Sequence, residues 1–144
     1  MRLNLGCGTD LKDGFENIDR EIRPGMDAAR VKMLDLEAYP WPWPDGSIEE
    51  VAAHQMLEHI GNLERFLAEL RRVCAAGATI KISVPHCDSV GAWSDPGHRR
   101  AFNTRCMYAI CRFGFAIVET HEDWWPAAEE GCRAGNIVTT FIAR

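Results

Sequence analysis

No apolar run in this chain approaches the roughly 20 residues needed to cross a bilayer, so no membrane-spanning segment is expected. Lysine is scarce, with three against thirteen arginines, and the 21 acidic residues leave a net charge of -5. A dedicated nucleic-acid binder normally shows a basic field, so a nucleic-acid partner is not expected either. None of the six cysteines, at 7, 74, 87, 106, 111 and 132, forms a CxxC pair. Their closest spacing, Cys106-x4-Cys111, fits no common zinc knuckle. The first residues enter strand-like sequence at once and leave no room for a secretory leader. The cytoplasm is therefore the expected compartment, with the cysteines as free thiols. Repeats and low-complexity stretches are also missing, so one domain over 1–144 is expected.

What is present reads as strands alternating with helices. Leu3-Asn4-Leu5, Phe15 to Asp19, Val31 to Leu34 and Glu50 to His54 form four short strands. The stretch Tyr39-Pro40-Trp41-Pro42-Trp43-Pro44-Asp45-Gly46 is a rigid loop, because proline cannot donate to a ladder. Asn62 caps a helix whose Leu63, Phe66, Leu67, Leu70 and Val73 recur at helical spacing, and Gly77 is its expected stop. Ala78 to Val84 follows as a strand cut off by Pro85, then a polar loop to about 102 and a helix over Asn103 to Phe113. Phe115 to His121 and Ile137 to Ala143 close the chain as strands. This order predicts an α/β fold, a mostly parallel sheet with helices on both faces, with ligands at the carboxyl ends of the strands.

At those ends stand Gly6-Cys7-Gly8, Asp19, Asp35, His54-Gln55 and Pro85-His86. A Gly-x-Gly after a first strand lets backbone approach a ligand, since neither glycine carries a Cβ. The third glycine of the dinucleotide fingerprint is missing. The continuation Thr9-Asp10-Leu11-Lys12-Asp13 is short and acidic, which suits a cationic or zwitterionic ligand better than a pyrophosphate. Asp19 is placed to accept from two ribose hydroxyls, and Asp35 from an adenine amino group.

The segments LNLGCG (3–8), GFENID (14–19), LDLE (34–37), PWPDGSIEEV (42–51), HQMLEHI (54–60), LAELRRVCAAGATIKISVP (67–85) and DPGHRRAF (95–102) together resemble the class I, Rossmann-like S-adenosylmethionine-dependent methyltransferases, in particular the methyltransferase type 11 group. The resemblance implies a seven-stranded, doubly wound sheet whose last strand is antiparallel. It implies S-adenosylmethionine as cofactor and S-adenosylhomocysteine as product. It also implies that Gly6, Cys7 and Gly8 face the methionine part, that Asp19 holds the ribose and that Asp35 and Leu36 bracket the adenine. His54 and Gln55 would lie near the sulfonium or the adenine. About ten residues separate Gly8 from Asp19 where such enzymes carry a full helix, so the first helix is shortened or absent.

Contacts to a small-molecule acceptor then fall to the loop 86–102, which holds His86, Asp88, Asp95, His98, Arg99 and Arg100. An oxygen or amine acceptor must lose a proton, and histidine titrates near neutrality. His98 is the preferred base, with Asp95 or His86 orienting it. His86, Asp95 and His98 are also ligand types suited to iron or zinc, but their spacing across a loop assigns no metal. Trp93 and the pair Trp124-Trp125 are the expected pocket aromatics, whereas Trp41 and Trp43 read as packing residues. The expected activity is methyl transfer to an O or N atom of a small molecule, such as a sugar or specialised metabolite. A catalytically silent cofactor-binding module is the alternative.

Overall fold

The computed structural model describes residues 1–127 and 132–144. Seven strands form one sheet: β1 (Arg2–Leu5), β2 (Glu16–Asp19), β3 (Val31–Met33), β4 (Ile48–His54), β5 (Cys74–Pro85), β6 (Phe115–Pro126) and β7 (Arg133–Ala143). Their order is β3-β2-β1-β4-β5-β7-β6. All pairings among β1 to β5 are parallel, and β7 runs antiparallel to both β5 and β6. The expected fold class and the antiparallel last strand are thus observed. Chain order reverses between β1 and β4, and the crevice beyond their carboxyl ends is where such a sheet binds ligands.

The helices are α1 (Leu63–Val73), the single turn α2 (Gly91–Ser94) and α3 (Thr104–Ile110). Asn62 caps α1 by accepting from the Arg65 N–H at 3.0 Å, and Asn103 caps α3 by accepting from Cys106. In α1 the residues Phe66, Leu67, Leu70 and Val73 are buried, the stripe that the 3.6-residue period requires. Gly77 does not stop this helix. Cys74 is already extended, and Gly77, at φ 84°, sits where the β4–β5 register jumps between the Ile48–Cys74 and Glu50–Thr79 pairs. No helix of the chain among the described residues is long and apolar enough to cross a membrane.

The core lies on one side of the sheet. Leu3, Leu5, Ile18, Val51, Ala53, Ile80, Ile82, Ile137 and Phe141 share a face in the strand register, and they form one buried cluster with Phe66, Leu70, Met107 and Ile110. Both α1 and α3 therefore pack on that face, so the expected cover of both faces is one-sided for these two helices. On the opposite face stand Arg2, Glu50, His54, Thr79, Lys81 and Thr140, exposed or half-buried. The first helix is absent: a turn-rich loop joins β1 to β2. Asn4 and Asn17, both buried on this face, hold that loop in place of helix packing. Asn4 Nδ2 donates to the Asp10 carbonyl at 2.7 Å and to Asn17 Oδ1 at 2.8 Å, and Asn17 Oδ1 also accepts from the Lys12 N–H.

The proline–tryptophan loop is packed as expected, with Trp41 and Trp43 buried. Arg72 fastens it, donating to the carbonyls of Trp41 and Trp43 and to Glu69 and Asp45. The segment 86–102 is closed at its base by a bridge between His86 and Phe102.

Candidate functional site

A cavity of about 440 Å³ opens at the carboxyl ends of β1, β2 and β4, within the range of small-molecule sites. Gly6, Asp19, Asp35, Leu36 and Gln55 line it, together with Asp95 from the loop. Gly6 has φ 64°, and an added Cβ would lie 2.4 Å from Met56 Cγ. The position therefore tolerates no side chain, for reasons of both backbone and space.

Asp19 ends β2 and is buried. Its Oδ2 accepts from the Gly8 N–H at 2.9 Å and its Oδ1 from the Arg20 N–H at 2.8 Å, while Arg23 Nη2 stands 3.5 Å from Oδ2. The Glu21 N–H adds a 3.4 Å contact to Oδ1, so three backbone N–H groups hold this carboxylate at the cavity wall. Asp35 orders the next turn by accepting from the Glu37 N–H, and beside it Leu36, Met56 and Ile60 give the cavity an apolar wall. Gln55 holds φ 49°, the one non-glycine residue in the left-handed region among the described residues, and donates to Ser83 Oγ across the β4–β5 ladder.

Cys7, Gly8 and His54 do not line the cavity. The Cys7 N–H donates to the Ile18 carbonyl and its side chain is buried. Burial first, and the Asp19 charge second, push its thiol up to about 11, which keeps it protonated. Gly8 acts through its N–H on Asp19. His54 is exposed, on the open face of the sheet.

Of the three residues expected to handle the acceptor, only Asp95 lines the cavity. His86 Nδ1 accepts from the Asp88 N–H, its Nε2 stands 3.5 Å from Glu122, and its ring packs edgewise on Trp124. That ring is part of the β5–β6 framework. His98 sits behind the wall formed by Asp95, Gly97 and Arg99: its side chain is 11% exposed, and Nδ1 meets the Ala92 carbonyl at 3.1 Å. The expected pocket tryptophans lie elsewhere. Trp124 covers Gly135 and stacks under Arg133, and Trp93 borders a separate depression with Cys87 and Arg133.

Beyond the residues expected to handle the acceptor, the structure brings His59 to the cavity wall and buries Glu58, which is 1% exposed. Both belong to a three-residue turn, Leu57–His59, that carries no periodic signature. Burial raises the Glu58 carboxyl to about 7, with the nearby His98 pulling the other way. One ligand atom from each of Glu58, His59 and His98 lies within 4.8 Å of the others, and His86, Cys87 and Asp88 form a second such group.

The cavity suits the cofactor that the motifs imply. Its walls carry Asp19, Glu21, Asp35, Glu37 and Asp95 against Arg20, Arg23 and Arg99, an acidic balance matched to a sulfonium cation. Residues 3–82 match the family described as Methyltransferase domain. A curated relative, ajmaline N-methyltransferase of Rauvolfia serpentina, is 41% identical over 56% of this chain, and the chain spans about a third, 34%, of that protein's length. Among solved structures, the [4+2]-cyclase SpnF superposes with a TM-score of 0.73 at 16% identity, covering 99% of this chain and 74% of that one. A methyltransferase-like protein of Bacillus halodurans gives 0.72 at 14% identity, covering 98% and 91%. Identities this low show a shared fold alone. The family and the fold imply S-adenosylmethionine as cofactor, and the chain belongs to the methyltransferase domain family.

Proposed function

We propose that this protein moves a methyl group from S-adenosylmethionine to an O or N atom of a small molecule, bound where the loop 86–102 meets the cofactor cavity. The observation that carries this reading is the convergence of Gly6, Asp19, Asp35, Leu36 and Gln55 on one cavity that also receives Asp95, Gly97 and Arg99. Asp19 would hold the ribose, and Asp35 with Leu36 the adenine. The cofactor supplies a methyl group activated by a positive sulfur. The chain's task is to align the acceptor, exclude water and take up its proton.

The whole chain serves as a single domain in this reading. The acidic net charge argues for a small acceptor over nucleic acid, and the six free cysteines fit a reducing cytoplasm. An N-methylating relative makes amines a natural first group of acceptors.

Calorimetry with S-adenosylhomocysteine, then product release across a panel of amines, phenols and sugars, tests the proposal. Micromolar binding with turnover on one acceptor class is expected. Binding without turnover on any would leave a silent cofactor-binding module, and absence of binding would overturn the reading.

A further inference from the structure

We propose that the uncovered face of the sheet is where two copies of this chain meet, packed sheet on sheet about a two-fold axis that runs along β7. A sheet with a parallel centre is normally covered on both sides. Here α1 and α3 lie on one side only, and residues 6–15 and 20–30, which join β1 to β2 and β2 to β3, contain no α-helix. Strand register places three exposed apolar side chains on the other side: Met33, Trp125 and Ile142. Edge-to-edge growth of the sheet is the competing route to a dimer, and β6 guards against it. A bulge breaks its ladder between Ile117 and Glu119, and Glu119, Glu122 and Asp123 crowd the strand with negative charge.

Charge decides the axis. Lys81 on β5, Thr140 on β7 and Glu119 on β6 stand in one row across the sheet. Thr140 Oγ1 donates to Glu119 Oε1 at 3.1 Å, and Lys81 Nζ lies 4.0 Å from Glu50 Oε1 on the same open face. A half-turn about β7 exchanges the β5 and β6 sides. Lys81 of one copy then opposes Glu119 of the other, twice. A half-turn about an axis across the strands would set Lys81 against Lys81 and Glu119 against Glu119, which is repulsive. On the favoured axis Ile142 and Val138, either side of Thr140, meet their own counterparts. The strand supplies an apolar seam flanked by opposite charges, the self-complementary pattern that an isologous interface requires.

The strip is also large enough. β7 has 11 residues. That length is about 36 Å at about 3.3 Å per residue, and three strands about 4.8 Å apart give a width of about 14 Å. With side-chain relief the strip buries roughly 600–800 Å² per copy, the size of a standard stable interface. None of the residues named for this face lines the cofactor cavity, so the dimer and the methyl-transfer reading can fail independently.

Sedimentation and light scattering of the whole chain, from micromolar to hundred-micromolar concentration, test the assignment. Twice the chain mass of 16.2 kDa is expected. Val138→Glu and Ile142→Glu bring two carboxylates together on the axis and should leave monomers with an unchanged circular dichroism spectrum and unchanged S-adenosylhomocysteine affinity. Lys81→Glu and Glu119→Lys should each weaken self-association roughly tenfold or more. Mixing K81E with E119K should restore it, because each contact in the mixed dimer again pairs opposite charges. A monomeric wild type overturns the proposal. So does a dimer that survives both V138E and I142E, which would place the contact on another surface, or a K81E and E119K mixture no tighter than either variant alone. Should V138E or I142E fail to fold, the mixing experiment still decides.

Discussion

The Gly8 N–H donates to Asp19 Oδ2 at 2.9 Å, so the glycine loop after β1 and the carboxylate ending β2 are one hydrogen-bonded unit. Under the proposed function, cofactor recognition and loop conformation are consequently tied to a single side chain.

Replacing Asp19 by Ala removes the proposed ribose acceptor and leaves the Gly8, Arg20 and Glu21 N–H groups without their partner. S-adenosylhomocysteine affinity should fall roughly a hundredfold or more, and folding stability by about 1–3 kcal/mol. Calorimetry and urea unfolding measure the two losses. Asp19→Asn, which keeps an oxygen acceptor, should recover most of the stability but little of the affinity. Unchanged affinity in D19A would remove Asp19 from the cofactor site.

Gly6→Ala meets two penalties, a left-handed φ of 64° and a clash with the near end of the Met56 side chain. Together these should cost about 1–3 kcal/mol and weaken cofactor binding, since relief requires Met56 to move and Met56 also lines the cavity. Gly77, also at positive φ but with open space around it, should lose less on the same change. Parallel denaturation curves of the two variants check the difference.

Glu58 gives stability an unusual pH dependence. Its folded pKa, about 7, lies above the ordinary value of 4.5, so the folded chain holds a proton that the unfolded chain releases between those values. Stability should then fall as pH rises through that window, by at most about 3 kcal/mol from this group. Glu58→Gln should flatten the decline, as seen by urea unfolding at pH 5 and pH 8. A wild-type curve that rises steadily over the same interval would contradict the burial of this carboxyl.

Asn17→Ala removes one of the two acceptors of the buried Asn4 amide and frees the Lys12 N–H. A loss of about 1–3 kcal/mol is expected, with faster amide exchange over residues 9–13. Hydrogen exchange that is unaltered in the loop would show that other contacts hold it.

Much of the architecture could be read in the sequence because local rules set it. Asn62 and Asn103 announce helix starts through short-range side-chain bonds, and the Leu63–Val73 stripe records one buried face. Other features depend on partners distant in the chain. Gly77 has the composition of a helix stop, yet strand register gives it a place within β5. β6 and β7 extend well past the predicted ends because they pair with each other, letting Trp124 lie over Gly135. At the site, Gly6, Asp19, Asp35, Leu36 and Gln55 were legible because each follows a strand. The directions of Glu58 and His59 were not, since three residues of tight turn have no period by which inward and outward side chains can be told apart.

The cavity's lining also divides the chain unevenly. Apart from Asp95, Gly97 and Arg99, every lining residue falls between Gly6 and Ile60. The segment 86–102, closed at its base by the His86–Phe102 bridge, is therefore separable from the part of the chain that supplies most of the lining. If the proposed acceptor role of this segment holds, grafting a different loop between those two anchors while keeping Asp95, Gly97 and Arg99 offers a route to recombining acceptor preference on an inherited cofactor half.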